Sequence, residues 1–260
     1  MQERHINRER YFKEQAQTTE RYYIPYISSH LNRMPEAVLE VGCGEGGNLL
    51  PFAEHGASVT GVDLAEGKIS NAVRFFEERG VKGTFIAKDV FQLTELKGSF
   101  DLIIVHDVIE HIYEKELFLS GLKDYLAPGG CMFVAFPSWQ MPFGGHQQIA
   151  KSRFVSGVPF IHLLPKSLYR GYLKLCGETE GKINELMDIK RTKCPIERFF
   201  KAARNAGYKV NDSRMFFINP NYEVKFGLKP RMLWPAISVL PWVRNFFCTS
   251  SFHILTPSES

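Results

Sequence analysis

The stretch LEVGCGEGGN, residues 39–48, carries glycines at two competing spacings. Gly42, Gly44 and Gly47 fit G-x-G-x-x-G, in which a pyrophosphate lies over the N-terminus of the following helix. Gly42, Gly44 and Gly46 also fit G-x-G-x-G, with Glu40 two residues ahead. That spacing suits S-adenosylmethionine (SAM), a sulfonium nucleoside with an amino-acid tail and no phosphate. Hydride transfer from a nicotinamide and methyl transfer from SAM therefore compete for the same ten residues. Asp63 follows about twenty residues past the turn, where a carboxylate can accept both ribose hydroxyls. Asp89 and Val90 offer an acceptor for an adenine amino group and an apolar face for its ring. HDVIEH, residues 106–111, and the L-A-P-G-G turn at 126–130 complete the set.

These residues can act together only if the fold delivers them to one edge. AVLEVG (37–42), ASVTGVD (57–63), GTFIAKD (83–89), FDLIIVHD (100–107) and GCMFVAFP (130–137) are short apolar runs bounded by Gly, Asp or Pro, as buried parallel strands are. Helical spacing fills the intervals. GNLLPFAEHG stops at Gly56, AEGKISNAVRFFEERG ends at Gly80, and EKELFLSGLKDYLAPGG runs to Leu126. Such alternation builds a parallel sheet with helices on both faces, and ligands sit beyond the carboxyl ends of its strands. Apart from the turn at 126–130, which precedes the fifth strand, the residues named above fall at such ends. A nicotinamide domain explains the glycine turn and Asp63. It has no use for an acid at Glu40, for Asp89, or for the Pro-Gly-Gly turn before the fifth strand.

Together VLEVGCGEG, VTGVDLAEGKISNA, FIAKDV, FDLIIVHDVIEHI and LAPGG resemble the class I SAM-dependent methyltransferases, in particular the type 11 and ubiquinone-biosynthesis-like group. The resemblance covers about residues 35–137. It implies an α/β Rossmann-like three-layer sandwich with a seven-stranded, mainly parallel sheet whose last strand is antiparallel. It implies SAM as cofactor and methyl transfer as the reaction. Carried over, Glu40 lies near the methionine ammonium, and Gly42, Cys43, Gly44 and Asn48 line the cofactor. Asp63 and Leu64 serve the ribose end, Asp89 and Val90 the adenine, and His106 the methionine portion. The group's usual residue at 106 is small, so His106 departs from the pattern.

Some of these residues have plainer readings. Asp63 alone would also fit a helix N-cap, and Asp101 a strand start. Glu110 and His111 read as capping or orienting the next helix, with His111 a reserve candidate for catalysis. CPIERFFKAARNAGYKVNDSRMFFI (194–218) reads as a helix ending near Gly207 and a strand, and FFCTSSFHILTP (246–257) as the final strand. One domain over 1–260 results, with an N-terminal helical segment (1–34), a SAM-binding core (35–137) and two insertions (138–193 and 219–245) expected to cover the substrate. The first insertion opens with SWQMPFGGHQQ, whose His146 is the candidate general base. His162 sits among apolar residues and reads as packed. The second holds MLWPAISVLPWV (232–243), too short to span a bilayer. It is expected to be buried against the core, the alternative being a lid or an interfacial segment with Trp234 and Trp242. Tyr11, Tyr22 and Tyr23 mark the N-terminal segment as a possible cover for the cofactor.

Composition sets outer bounds. A net charge of +4 without a basic run argues against nucleic acid. Five dispersed cysteines read as free thiols, and the polar start MQERHINRER lacks the apolar stretch of a secretory signal, so a cytoplasmic location is expected. No carboxylate pair suggests a divalent metal, and none is expected. The reading is a methyltransferase acting on a hydroxyl of a lipophilic or lipid-linked small molecule, with possible peripheral contact with a membrane. The alternatives are a nicotinamide-dependent oxidoreductase and a non-catalytic SAM-binding protein.

Overall fold

A computed structural model describes residues 7–258 of the 260. The five apolar runs form parallel strands: β1 (Ala37–Val41), β2 (Ser58–Val62), β3 (Thr84–Ile86), β4 (Phe100–His106) and β5 (Leu126–Phe136). β6 (Tyr208–Ile218), the two-residue β7 (Arg231–Met232) and β8 (Ser250–Pro257) extend the sheet. The order is β3-β2-β1-β4-β5-β8-β6-β7. β8 runs antiparallel to both β5 and β6, as expected of the last strand. Among the described residues the sheet has eight strands rather than seven, because β7 in the second insertion adds a short edge to β6.

Side-chain alternation along the strands explains the three layers. Ile103 and Val105 of β4 point into one core, and Leu102 and Ile104 into the other. The helices are α1 (Arg8–Thr18), α2 (Ile24–Leu31), α3 (Leu50–Glu54), α4 (Glu66–Glu77), α5 (Lys115–Lys123), α6 (Arg153–Ser156), α7 (Lys166–Leu175), α8 (Glu180–Thr192), α9 (Ile196–Asn205), α10 (Asn221–Phe226) and α11 (Pro235–Ser238). α5 and α9 cover the first core, where α9 buries Phe199, Ala202 and Ala203 at helical spacing, its Ile196 entering a small neighbouring cluster. α1 to α4 cover the second, with Phe12, Ile27, Phe52, Phe75 and Phe76. Burying each such phenylalanine is worth roughly 1.5–3 kcal/mol over leaving it in water.

Three boundaries differ from the sequence reading. α3 is only five residues long, since residues 47–49 are spent on turns after the glycines. β5 begins at Leu126 rather than Gly130, pairing Leu126 with Phe100 across an irregularity in the register. The apolar run in the second insertion is exposed rather than buried. Leu233 is buried in a small core and Ile237 packs against it half-buried, while Trp234 is 74% and Trp242 56% exposed. Its prolines and tight turns leave no continuous face to bury. The first insertion has a small core of its own around Trp139, Tyr169, Leu173 and Leu186. All five cysteines are free thiols.

Candidate active site

The strand order reverses between β1 and β4, so their carboxyl ends diverge and open a cleft there. A cavity of about 350 Å³ occupies it, and Gly42, Cys43, Gly44, His106 and His146 all line it. A larger open groove, about 830 Å³, runs along β6 and the end of β8, far from the glycine turn. It holds none of the predicted residues.

The glycine turn follows from close packing. Gly42 has φ +74, and a Cβ there would stand 2.4 Å from Val108 Cγ2 in the turn after β4. Gly44, at φ +55, faces open space with nothing within 4 Å. Those two glycines present bare backbone to the cavity. Gly47 has a different reason. A Cβ there would lie 2.6 Å from the Phe12 carbonyl oxygen, so the third glycine of the dinucleotide spacing lets α1 rest on the turn. α1 also brings Arg8, Tyr11 and Gln15 to the cavity.

Asp63 ties the turn to β2. Its carboxylate accepts from Gly44 N (3.0 Å) and from Ala65 N (2.9 Å), with Lys68 Nζ at 3.6 Å. Ala65, not Asp63, precedes α4, so the bond is a local turn ahead of the helix and not an N-cap. Leu64 is 77% exposed beside it. Glu40 lies behind the turn and does not line the cavity. Its Oε1 accepts from Asn48 Nδ2 at 2.7 Å, and Asn48 Oδ1 accepts from Thr19 Oγ1 at 3.0 Å. Glu40 Oε2 is buried without a partner, and burial pushes the carboxyl up to about 8. Asp89 is exposed and accepts from Phe91 N at 3.0 Å. Val90 packs into the first core, its carbonyl accepting from Tyr125 Oη.

The N-terminal segment contributes more than a cover. Between α1 and α2 the chain makes a π turn, Thr19–Tyr23, whose extra residue re-aims the helix face. Thr19 thereby reaches Asn48, and the buried Tyr23 sets its hydroxyl 3.0 Å from His106 Nε2. Tyr22 bonds Glu223 of α10, closing the second insertion against the N-terminal segment. No pattern in the sequence marks this turn.

The remaining wall gathers titratable groups. Asp107 takes a left-handed backbone (φ 52) directly after β4, a conformation Asp tolerates but one common at functional sites. Glu110 and His111 lie in a short 3₁₀ turn, Ile109–His111. They do not cap α5, whose N-cap is Glu114. His146 also has a left-handed backbone (φ 54), fixed by its N–H to Phe143 O. Its ring meets that of His111 edge-on at 5.0 Å, and its Nε2 stands 3.7 Å from Glu110 Oε1. Burial, then the neighbouring His111, pulls the His146 pKa down to about 4, so the ring is neutral at neutral pH. Burial pulls His111 down and raises Glu110 well above the usual carboxylate range. Both Glu110 oxygens and His146 Nε2 are buried without hydrogen-bond partners. His162 is packed as expected, bonded to Trp139 O at 2.8 Å.

Both insertions reach this cavity, the first through Met141, Phe143, His146, Gln148 and Ile149, the second through α10 with Tyr222 and Phe226. The tryptophan run does not. Just past the run, Phe246 meets the Phe160 ring at 6.4 Å, and Phe160 N–H bonds Pro142 O in the cavity loop.

The sheet order, the glycine turn at the switch point, and the acids on β1 and just past β2 define a class I SAM-dependent methyltransferase fold, with SAM as its cofactor. Residues 38–130 match the family model described as "Methyltransferase domain". Over 117 residues it is 34% identical to the ubiquinone biosynthesis O-methyltransferase of Chelativorans sp. (strain BNC1), covering 42% of this chain and 46% of that protein. The chain thus matches about half the length of such relatives. A SAM-dependent methyltransferase from Clostridium acetobutylicum superposes with TM-score 0.59 at 12% identity, covering 95% of this chain and 92% of that one. The magnesium protoporphyrin IX methyltransferase of Synechocystis, with S-adenosylhomocysteine (SAH) bound, gives 0.51 at 18% identity, covering 94% and 84%. These structures share the fold. Among the described residues no helix is long and apolar enough to cross a membrane.

Proposed function

We propose that the protein transfers the methyl group of SAM to a hydroxyl of an apolar small molecule. The carrying observation is a single cavity lined by the bare glycine turn, by Asp107, His111 and His146, and by Met141, Phe143, Ile149 and Phe226. The residues present fit the cofactor, since Gly44 leaves open space where a Cβ would project. Bound SAM supplies an electrophilic methyl on a positive sulfur. Gly42, Cys43 and Gly44 offer their backbone to it, Asp63 and Leu64 take the ribose end, and Asp89 with Val90 the adenine end. Glu40, held by Asn48, and His106, held by Tyr23, stand at the methionine end.

With the methyl already activated, the chain has to align the acceptor oxygen, exclude water and take up a proton. The two insertions align and exclude, and His146 stands on the wall where the proton is withdrawn. The domain's likeness to ubiquinone biosynthesis O-methyltransferases favours oxygen as the accepting atom. Exposed Trp234, Val239, Leu240 and Trp242, linked to the cavity loop through Phe246 and Phe160, favour an acceptor drawn from an apolar phase. A panel of phenols with lengthening alkyl chains tests the reading by SAH release. Release should depend on the acceptor, and kcat/KM should rise as the chain grows, by up to about fourfold per methylene at ~0.8 kcal/mol each. Release only with amines, or a flat response to chain length, contradicts it.

A further inference from the structure

We propose that Glu110, His111 and His146 form a binding site for one divalent transition cation, zinc foremost, at the acceptor side of the cavity. The inference rests on the methyltransferase reading and deepens it: His146 acts as a ligand to the cation rather than as a free base. The ligand atoms of all three residues lie within 4.8 Å of one another. His146 Nε2 and His111 Nε2 stand 3.7 and 4.0 Å from Glu110 Oε1. Zinc–ligand bonds of about 2.0–2.2 Å place tetrahedral ligand atoms about 3.4 Å apart. Small side-chain rotations close the difference. Two imidazoles and a carboxylate suit zinc, manganese or cobalt better than calcium, and three protein ligands leave a position for substrate.

The second observation is independent of spacing. Glu110 is 4% exposed, and neither of its oxygens has a hydrogen-bond partner. A buried carboxyl with both oxygens unpaired costs several kcal/mol or demands a missing partner. The protein's own cations do not supply one. Lys115 Nζ is spent on the Ile112 and Thr192 carbonyls, and Lys68 leans on Asp63. Among the described residues the ion-pair contacts of Glu110 are to His111 and His146, the other two members of the cluster. His146 Nε2 is equally without a partner.

The loop that presents His146 is built rigidly. A Cβ at Gly144 would meet the Trp139 carbonyl at 2.3 Å, and one at Gly145 would meet His162 Cβ at 2.2 Å. The chain must pass this way, and it holds His146 at φ 54. A strained backbone that delivers an unpaired nitrogen to an unpaired carboxylate points to a shared ligand. Asp107 lines the same cavity as His111 and His146 and supplies an exposed carboxylate outside the three ligands.

The chemistry balances. With its oxygen drawn towards the cation, the acceptor hydroxyl gives its proton to the Asp107 carboxylate and then to water. The oxygen lone pair forms the C–O bond while the methyl–sulfur bond breaks. That electron pair stays on sulfur and leaves neutral SAH.

Chelator-treated protein titrated with Zn²⁺ against a chromophoric chelator tests the site, with Mn²⁺ and Mg²⁺ in parallel arms. SAH binding measured by calorimetry on the same samples reports the cofactor side. One equivalent of Zn²⁺ should bind with micromolar or tighter Kd. Glu110→Gln and His146→Gln should each weaken it at least tenfold, with the SAH Kd within threefold of the parent. His111→Gln, at the exposed edge of the cluster, should do the same and serves as the arbiter if a buried variant fails to fold. No stoichiometric uptake of any of the three ions, or undiminished affinity in the folded variants, overturns the proposal. Loss of SAH binding by the parent protein would instead overturn the methyltransferase reading, since metal uptake is scored without it.

Discussion

The two walls of the cavity satisfy their polar groups in opposite ways. On the glycine-turn side, Asp63 already holds two backbone N–H groups, and Asn48 bridges Glu40 and Thr19. Glu40 Oε2, Gln15 Oε1 and Glu45 Oε1 are left over, the last 3.5 Å from Arg8 Nη1. On the side of the 106–111 turn and the first insertion, three neighbouring atoms, two on Glu110 and one on His146, are buried without partners. The first wall scatters its unpaired oxygens and ties Asp63, Asn48, Glu40 and Thr19 together through its own hydrogen bonds. The second keeps reactive groups unpaired in a place from which water is partly excluded, an expensive arrangement that suits chemistry more than stability.

The comparison predicts different losses on each side. The largest belongs to the reactive wall: His146→Ala should lower turnover by about 10²–10⁴-fold, the size of a lost proton-transfer or charge-stabilising group, while the SAH Kd stays within threefold of the parent. Calorimetry beside a SAH-release assay checks the split, and an equal loss of both would erase the distinction between the walls.

A smaller effect is expected behind the glycine turn, read in stability. Burial raises the Glu40 carboxyl from its ordinary 4.5 to about 8. A raised folded value means that its favourable contribution is complete below about pH 4.5 and is lost as pH climbs to about 8. Each pH unit between those values is worth ~1.4 kcal/mol, a few kcal/mol at most. Glutamine carries no charge to desolvate and can still accept from Asn48. Glu40→Gln should therefore melt higher than the parent at pH 8–9, and the two should converge near pH 4.5. A pH series of melting curves shows whether they do.

Asp63→Ala should weaken SAH binding at least tenfold, since a charge-assisted hydrogen bond is worth roughly 1.5–3 kcal/mol. It should also lower Tm by a few degrees through the lost bonds to Gly44 and Ala65. Unchanged SAH affinity in Asp63→Ala would remove the ribose assignment.

The glycines give the finest division. Gly47→Ala forces a Cβ against the backbone of α1 and should cost about 1–3 kcal/mol of stability, several degrees in a chain of this size. Gly44→Ala meets no protein atom but strains a backbone at φ +55, at a cost of about 1–2 kcal/mol. It should shift Tm by a similar amount and reduce SAH affinity more than Gly47→Ala does. An equal or smaller loss of SAH affinity would mean that the open space at Gly44 is not where the cofactor lies.

What could be read from the sequence divides along the same line. The strands and the glycine turn were legible because their signals are local: apolar runs with punctuated ends, and acids at fixed offsets from the turn. The reactive wall was only half legible. His146 stood out by its Gly-Gly-His setting, but Glu110 and His111 read as helix-capping residues. Their facing His146, 35 residues further on, is set by how the first insertion folds back. The π turn that aims Thr19 and Tyr23 has no compositional mark, and neither does α10 as a cavity wall. The tryptophan run misled, since hydrophobicity alone predicts burial. Broken by Pro235 and Pro241, it cannot lay a continuous face on any core.

Calorimetric titration of the protein with SAH, and separately with NAD, tests the central claim most directly. The account predicts one SAH bound per chain with a micromolar Kd and no measurable heat from NAD. Saturable NAD binding without SAH binding would contradict it and return the glycine turn to the dinucleotide reading.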